Sequence, residues 1–130
     1  MFRTPQINLY STDVARAVAF YARLGFTEAY RYPAEGDPLH VELTLDALRL
    51  GVADQSAARG DHGLVVTPGG GGMEVCVWTD DVDSAVSALA DSGVPVISEP
   101  HDFQAGRLRV AWVTDPDGNP VELVELRAAV

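Results

Sequence analysis

A single cysteine, Cys76, occurs in the 130 residues of this chain. One thiol forms no internal bridge, which excludes a disulfide-stapled extracellular scaffold and fits a reducing, cytoplasmic setting. Long apolar runs are missing too: no stretch approaches the ~20 residues of a membrane span. Met1-Phe2-Arg3-Thr4-Pro5 lacks the charged-then-apolar order of a signal peptide. Neither a membrane partner nor export is expected. Basic residues are scarce, with 9 Lys and Arg against 19 Asp and Glu and a net charge of −10. Such a surface repels phosphate backbones and anionic lipids, so nucleic acid drops out as a partner.

What remains is an ordinary globular composition, 47% apolar, in a chain of single-domain length. Gln6 to Tyr10 alternates polar and aliphatic residues, the period of a half-buried strand. Ser11 and Thr12 are helix-cap candidates, Asp13 suits the positive end of the helix dipole, and Val14, Ala17, Val18, Tyr21 and Leu24 recur at helical spacing before Gly25 stops the run. Strands are expected over Phe26 to Tyr32, Leu39 to Leu45 and Leu48 to Ala53, with Asp46-Ala47 as a short turn. Residues 54–72 then become small and polar and end in Gly69 to Gly72, a flexible connector. That glycine run is no phosphate loop, because it lacks a following Lys-Ser or Lys-Thr and precedes a strand.

The order of events repeats. Adding 68 to the first-half numbers sets Asp13, Val14, Ala17, Val18, Ala22 and Gly25 on Asp81, Val82, Ala85, Val86, Ala90 and Gly93, each of the same type. Thr79 or Asp80 can cap the second helix, and strands follow at Val94 to Ser98, Leu108 to Val113 and Val121 to Glu125, with a polar loop through Gln104. Two copies at this period predict a duplicated βαβββ module: module 1 over about 4–55, a linker over about 56–72 and module 2 over about 73–127. The fold class is α+β, a curled mixed sheet around a cup with helices on the outer face. Ile7, Leu9, Leu48, Leu50, Val75, Val77, Val121 and Leu123 take the helix-covered face. Gln6, Asn8, Tyr10, Arg49, Glu74, Cys76, Trp78 and Glu122 take the other.

Asp115-Pro116-Asp117-Gly118 suits a type I turn, after which Asn119 tolerates a left-handed backbone and Pro120 opens a strand. That strand carries one carboxylate, Glu122, among Val121, Leu123 and Val124. An acid so placed either points to water or enters a cavity where it has a purpose. Trp78 shares the parity of Glu74 and suits a stacking wall for a planar ligand, while Trp112 suits either that use or the core. Cys76 reads as a small buried residue before it reads as a nucleophile. His40 fits a surface or dimer edge, and His62 and His101 have no partners at metal spacing.

Asp13 to Phe26 with its Ala19-Phe20-Tyr21 and Leu24-Gly25-Phe26, the paired segment Asp81 to Gly93, and Asp115-Pro116-Asp117-Gly118-Asn119-Pro120-Val121-Glu122-Leu123 together make the chain similar to the vicinal oxygen chelate superfamily. This is the group of glyoxalase I, bleomycin resistance proteins and extradiol dioxygenases. The resemblance implies a homodimer with ligand cups and a four-position metal site, one residue from the first and one from the last strand of each module. Those positions fall on Gln6, Glu74 and Glu122 and, by matching Leu48-Arg49-Leu50 to Val121-Glu122-Leu123, on Arg49 or, one residue on, Leu50. Gln6, Glu74 and Glu122 form a candidate oxygen set for Mg²⁺ or Mn²⁺. They lack the imidazoles that Zn²⁺, Ni²⁺ or an Fe(II) dioxygenase would use. An inward Arg49 would take the place of the ion by pairing with a carboxylate.

Two functions follow from the resemblance. One is a metal-free binding protein with no cofactor, similar to the bleomycin-type resistance proteins, that sequesters a planar or cationic small molecule among Asn8, Tyr10, Arg49, Cys76, Trp78 and Trp112. The other is a divalent-metal-dependent lyase or isomerase similar to glyoxalase I, with Glu122 or Glu74 moving a proton.

Overall fold

A computed structural model describes residues 1–127. The elements run β1 (Ile7–Ser11), α1 (Val14–Arg23), β2 (Thr27–Tyr32), β3 (His40–Leu45), β4 (Leu48–Asp54), α2 (Gln55–His62), β5 (Val75–Trp78), α3 (Val82–Asp91), β6 (Val96–Phe103), β7 (Leu108–Thr114) and β8 (Pro120–Leu126). Two compact units result, Met1–Gly69 and the remainder from Gly70. Each holds a four-stranded mixed sheet, in the orders β1-β4-β3-β2 and β5-β8-β7-β6. The duplication is therefore carried by two sheets, one per βαβββ module.

The two units use the same devices at the ends of their main helices. Asp13 and Asp81 are the N-caps, with φ −152° in both, and their carboxylates accept from Arg16 N and Ser84 N. Ser11 does not cap; its Oγ accepts from the Asp13 amide at 3.0 Å. Thr79 and Asp80 likewise give way to Asp81. The cap falls where an extended residue still reaches the amide three positions on. At the other ends Gly25 and Gly93 adopt φ +103° and +87°. Phe26 N then bonds Tyr21 O, and Val94 N bonds Leu89 O. This closing pattern satisfies carbonyls that the last helical turn leaves open.

Helix α1 turns Val14, Ala17, Phe20 and Tyr21 inward, and Val41, Leu43, Leu50 and Val52 of β3 and β4 are buried as well. Tyr21 meets Phe20 and Phe26 edge to face, at 5.0 and 5.7 Å. Each such aliphatic or aromatic side chain contributes about 1.5–3 kcal/mol on burial. The second unit buries Val82, Val86 and Leu89 of α3 and Val75, Val110, Val113, Val121 and Leu123 of its sheet. Ile7 and Leu48, expected on the covered face, are each 42% exposed, since they lie at strand ends.

Three local expectations change. Residues 55–62 form α2, capped by Asp54 and closed by Gly63 at φ +68°, where only a small polar segment was expected. Strand β6 continues to Phe103 through residues read as loop, with register shifts that let an edge strand carry Pro100 and charged side chains. The 115–118 turn forms with the Gly118 N to Asp115 O bond at 3.0 Å, but Gly118 at φ +91°, not Asn119, takes the left-handed position.

Candidate functional site

The uncovered face of the first sheet is organised by Glu42, which the sequence did not single out. Residues 40, 42 and 44 of β3 share a face, and the pairing sets Glu42 opposite Gly51 and Thr44 opposite Arg49. Arg49 Nη1 donates to Glu42 Oε1, and His40 Nε2 lies 3.2 Å from Oε2. Gln6 Nε2 stands 3.5 Å from the same oxygen and donates to Asn8 Oδ1 at 3.0 Å. The His40 bond, then those of Arg49 and Gln6, hold the Glu42 carboxyl below its ordinary range, against an opposing push from burial. Gln6, Asn8 and Arg49 are thus brought together around a carboxylate. Tyr10 lies further along β1 beside a cavity with Asn8 and His40.

The register corrects the repeat match of Arg49 to Glu122. Ile7 pairs with Leu50, and Val75 pairs with Val121. Because residue 7 corresponds to residue 75, Leu50 corresponds to Val121, and the counterpart of Glu122 is Gly51. Arg49 corresponds to Pro120 instead, and Leu50 is buried on the opposite face. Burial fixes this register: a one-residue slip would turn Leu50 and Val121 outward. Gly51 leaves room that its neighbours use, since a Cβ there would overlap Asn8 Oδ1 and lie 3.3 Å from His40 Cε1.

In the second unit Cys76 pairs with Glu122, and Trp112 pairs with Glu122 from the other side. Trp112 Nε1 donates to Glu74 Oε1 at 3.1 Å, and its ring stacks on His101 at 6.2 Å with an interplanar angle of 23°. His101 Nδ1 donates to the Glu99 carbonyl at 2.7 Å, which fixes the imidazole against the indole. Burial first, and then the hydrogen bond and charge of Glu74, push the Glu122 carboxyl upward; its bond with Cys76 works the other way. Cys76 is open to solvent and not buried as expected. Its thiol is nevertheless pushed up to about 11 by partial desolvation, then by Glu122 and Glu74. Trp78 is 64% exposed. Glu74, Cys76, Trp112 and Glu122 therefore form one cluster, and Trp78 lies at the end of its strand.

At its family positions the first unit offers a metal ion little beyond Gln6. Gly51 supplies no side chain, none of the four positions is a histidine, and Arg49 brings a fixed positive charge to the face that carries Gln6. A second acidic group, Asp81, Asp83 and Glu125, has its ligand atoms within 4.8 Å of one another. Its members already serve the start of α3: Asp81 caps it, Glu125 accepts from Val82 N, and Asp83 pairs with Arg109. No helix among the described residues is long and apolar enough to cross a membrane.

Comparisons with known proteins agree with this architecture. A probable lactoylglutathione lyase of Synechocystis sp. is 32% identical over 57 residues, which are 44% of this chain and 44% of that protein. The match thus spans less than half the length of this curated relative. Among solved structures, TioX from Micromonospora sp. ML1 superposes with a TM-score of 0.71 at 26% identity, covering 96% of this chain and all of TioX. Lactoylglutathione lyase from Agrobacterium tumefaciens gives 0.70 at 25% identity, over 94% of this chain and 92% of that one. The family model of the Glyoxalase/Bleomycin resistance protein/Dioxygenase superfamily matches residues 3–123. With its paired βαβββ units and a match over nearly its whole length, the chain belongs to that superfamily.

Proposed function

We propose that the chain is a small-molecule binding protein that sequesters a planar or cationic organic compound without a metal ion. The observation that supports this most is the Arg49–Glu42 pair beside Gln6. Its guanidinium satisfies the carboxylate from within the protein and repels a divalent cation that would bind through Gln6. Gly51, at the counterpart of Glu122, withholds another donor. The acidic surface, net charge −10, attracts a cation from solution. A cytoplasmic homodimer belongs to the same reading, on the strength of the lone cysteine and the family resemblance.

The test is metal content after purification, followed by calorimetric titration with Mn²⁺, Ni²⁺ and Zn²⁺. Expected is no stoichiometric uptake of metal, together with a saturable heat of binding when a planar cation is added. One tightly held ion per chain, lost in Glu122→Ala, would overturn the reading. It would favour a metal-dependent lyase or isomerase; two of the similar proteins are named lactoylglutathione lyases.

A further inference from the structure

The first unit contains a cavity of about 410 Å³ that none of the family positions accounts for. Its floor is Asn8, Tyr10, His40 and Ala53 of the uncovered sheet face, and its roof is α2, through Ala57, Ala58, Asp61 and His62. Tyr32 and Leu39, both exposed, also line it, and Asp54 lies where β4 passes into α2. A volume in the ~300–1,000 Å³ range takes one small organic molecule.

The chemistry of the lining is one-sided. It offers two carboxylates, Asp54 and Asp61, two phenol rings, Tyr10 and Tyr32, and no lysine or arginine. Asp54 spends one oxygen on the Ala57 amide at 2.9 Å as the cap of α2 and keeps the other. Apolar alanines from the helix meet the flat part of a ring system, and a cation gains from both the phenol faces and the carboxylates. An anion finds no lysine or arginine in this lining.

Gly51 links this cavity to the loss of metal donors. Where the repeat has a carboxylate in its second copy, the first copy has a hydrogen, and the tips of Asn8 and His40 occupy the space. The same substitution that removes a ligand atom seats two of the cavity's polar side chains.

We propose that the cavity between α2 and the first sheet binds one planar organic cation, of the protonated aromatic amine class, using residues of the first unit alone. The assignment rests on the binding-protein reading above and adds to it a place and a charge.

The test uses the full chain with proflavine, a planar cation, and acridone, a neutral molecule of similar shape. Binding is followed by calorimetry in wild type, Asp61→Asn, Tyr32→Ala and the charge-matched control Asp91→Asn on α3. Asp61 and Tyr32 are exposed, so both variants should fold as the parent does. Expected is proflavine binding that weakens about tenfold in Asp61→Asn and severalfold in Tyr32→Ala but not in Asp91→Asn, with acridone at least tenfold weaker than proflavine. Proflavine bound with unchanged affinity by Asp61→Asn and Tyr32→Ala would overturn the placement and leave the binding reading standing. Equal affinity for acridone would overturn the charge preference. Failure of wild type to bind either probe would overturn the binding reading itself.

Discussion

Arg49 donates to Glu42 from the adjacent strand, and the His40 ring stands on the other oxygen of the same carboxylate. Both partners are partly exposed, with side-chain exposures of 36% for Arg49 and 20% for Glu42, so the pair contributes about 1 kcal/mol or less. Glu42→Gln should cost about that much at pH 7. The sign of its pH dependence follows from the depressed carboxyl. Below its ordinary value of 4.5, the folded Glu42 keeps its charge after the unfolded one has taken a proton. Its contribution is complete above that value and is lost as pH falls through the folded one. Urea midpoints measured from about pH 6 to about pH 3 should therefore fall more steeply for wild type than for Glu42→Gln, the curves converging at the acid end. Parallel curves would show that Glu42 is not held by its neighbours.

Cys76 makes the opposite electrostatic case. A thiol raised from 9.0 to about 11 carries little thiolate at pH 8, whereas an ordinary one carries about a tenth. Higher intrinsic nucleophilicity of the more basic thiolate recovers part of the loss. Alkylation by iodoacetamide at pH 8 should be roughly ten- to a hundredfold slower than for an unperturbed cysteine, despite exposure. Desolvation is the largest cause and Glu122 the next, so Glu122→Gln should speed the reaction without restoring the full rate. An unchanged rate in that variant would place the carboxylate too far away to matter.

Gly51 and Asn8 test the remodelled half of the repeat. A methyl at residue 51 overlaps Asn8 Oδ1 and lies 3.0 Å from its Cγ, so Asn8 must swing away and release its bond with Gln6. Its carboxamide is the end of a short side chain, and the loss should be about 1 kcal/mol. Gly51→Ala combined with Asn8→Ala should cost less than the sum of the two single changes, by about 0.5–1 kcal/mol in a double-mutant cycle. Additivity would mean that the two side chains do not compete for space.

Much of this arrangement could be read from the sequence because the two copies check each other. The offset of 68 predicts both main helices, and Gly25 and Gly93 as their stops, from short-range pattern alone. Glu42 could not be singled out that way, since its partners Gln6 and Arg49 lie on other segments and meet it only once the strand register is fixed. The parity of His40 and Glu42 on β3 was the available signal. The Leu-Arg-Leu surroundings of Arg49 liken it to Glu122, but the pairings of Ile7 with Leu50 and of Val75 with Val121 outrank that likeness. Helix α2 left almost no trace: it buries Ala58 alone, so it has no apolar stripe, and its ends rest on Asp54 and Gly63. The cavity it roofs, with Asp61 and His62, was invisible for the same reason.

The turn before Glu122 depends on one side chain. Asp115 is 3% exposed, and its carboxylate accepts from Asp117 N at 2.9 Å, Asn119 N at 2.8 Å and Asn119 Nδ2 at 2.8 Å. Backbone amides in a part-buried turn find no equal substitute when such an acceptor is removed, and each unsatisfied donor costs about 1–3 kcal/mol. Asp115→Ala should therefore destabilise the fold by about 2–4 kcal/mol. Asp115→Asn should cost less, because its amide oxygen still accepts from the two backbone groups while its nitrogen faces the Asn119 donor. Chemical denaturation of the two variants gives the ranking. The backbone from Pro120 continues directly into β8, so loosening the turn should also disturb the seat of Glu122. In Asp115→Ala, alkylation of Cys76 at pH 8 should accelerate as it does in Glu122→Gln. A fully destabilised variant with unaltered Cys76 reactivity under native conditions would show that the turn holds the fold without positioning the acid.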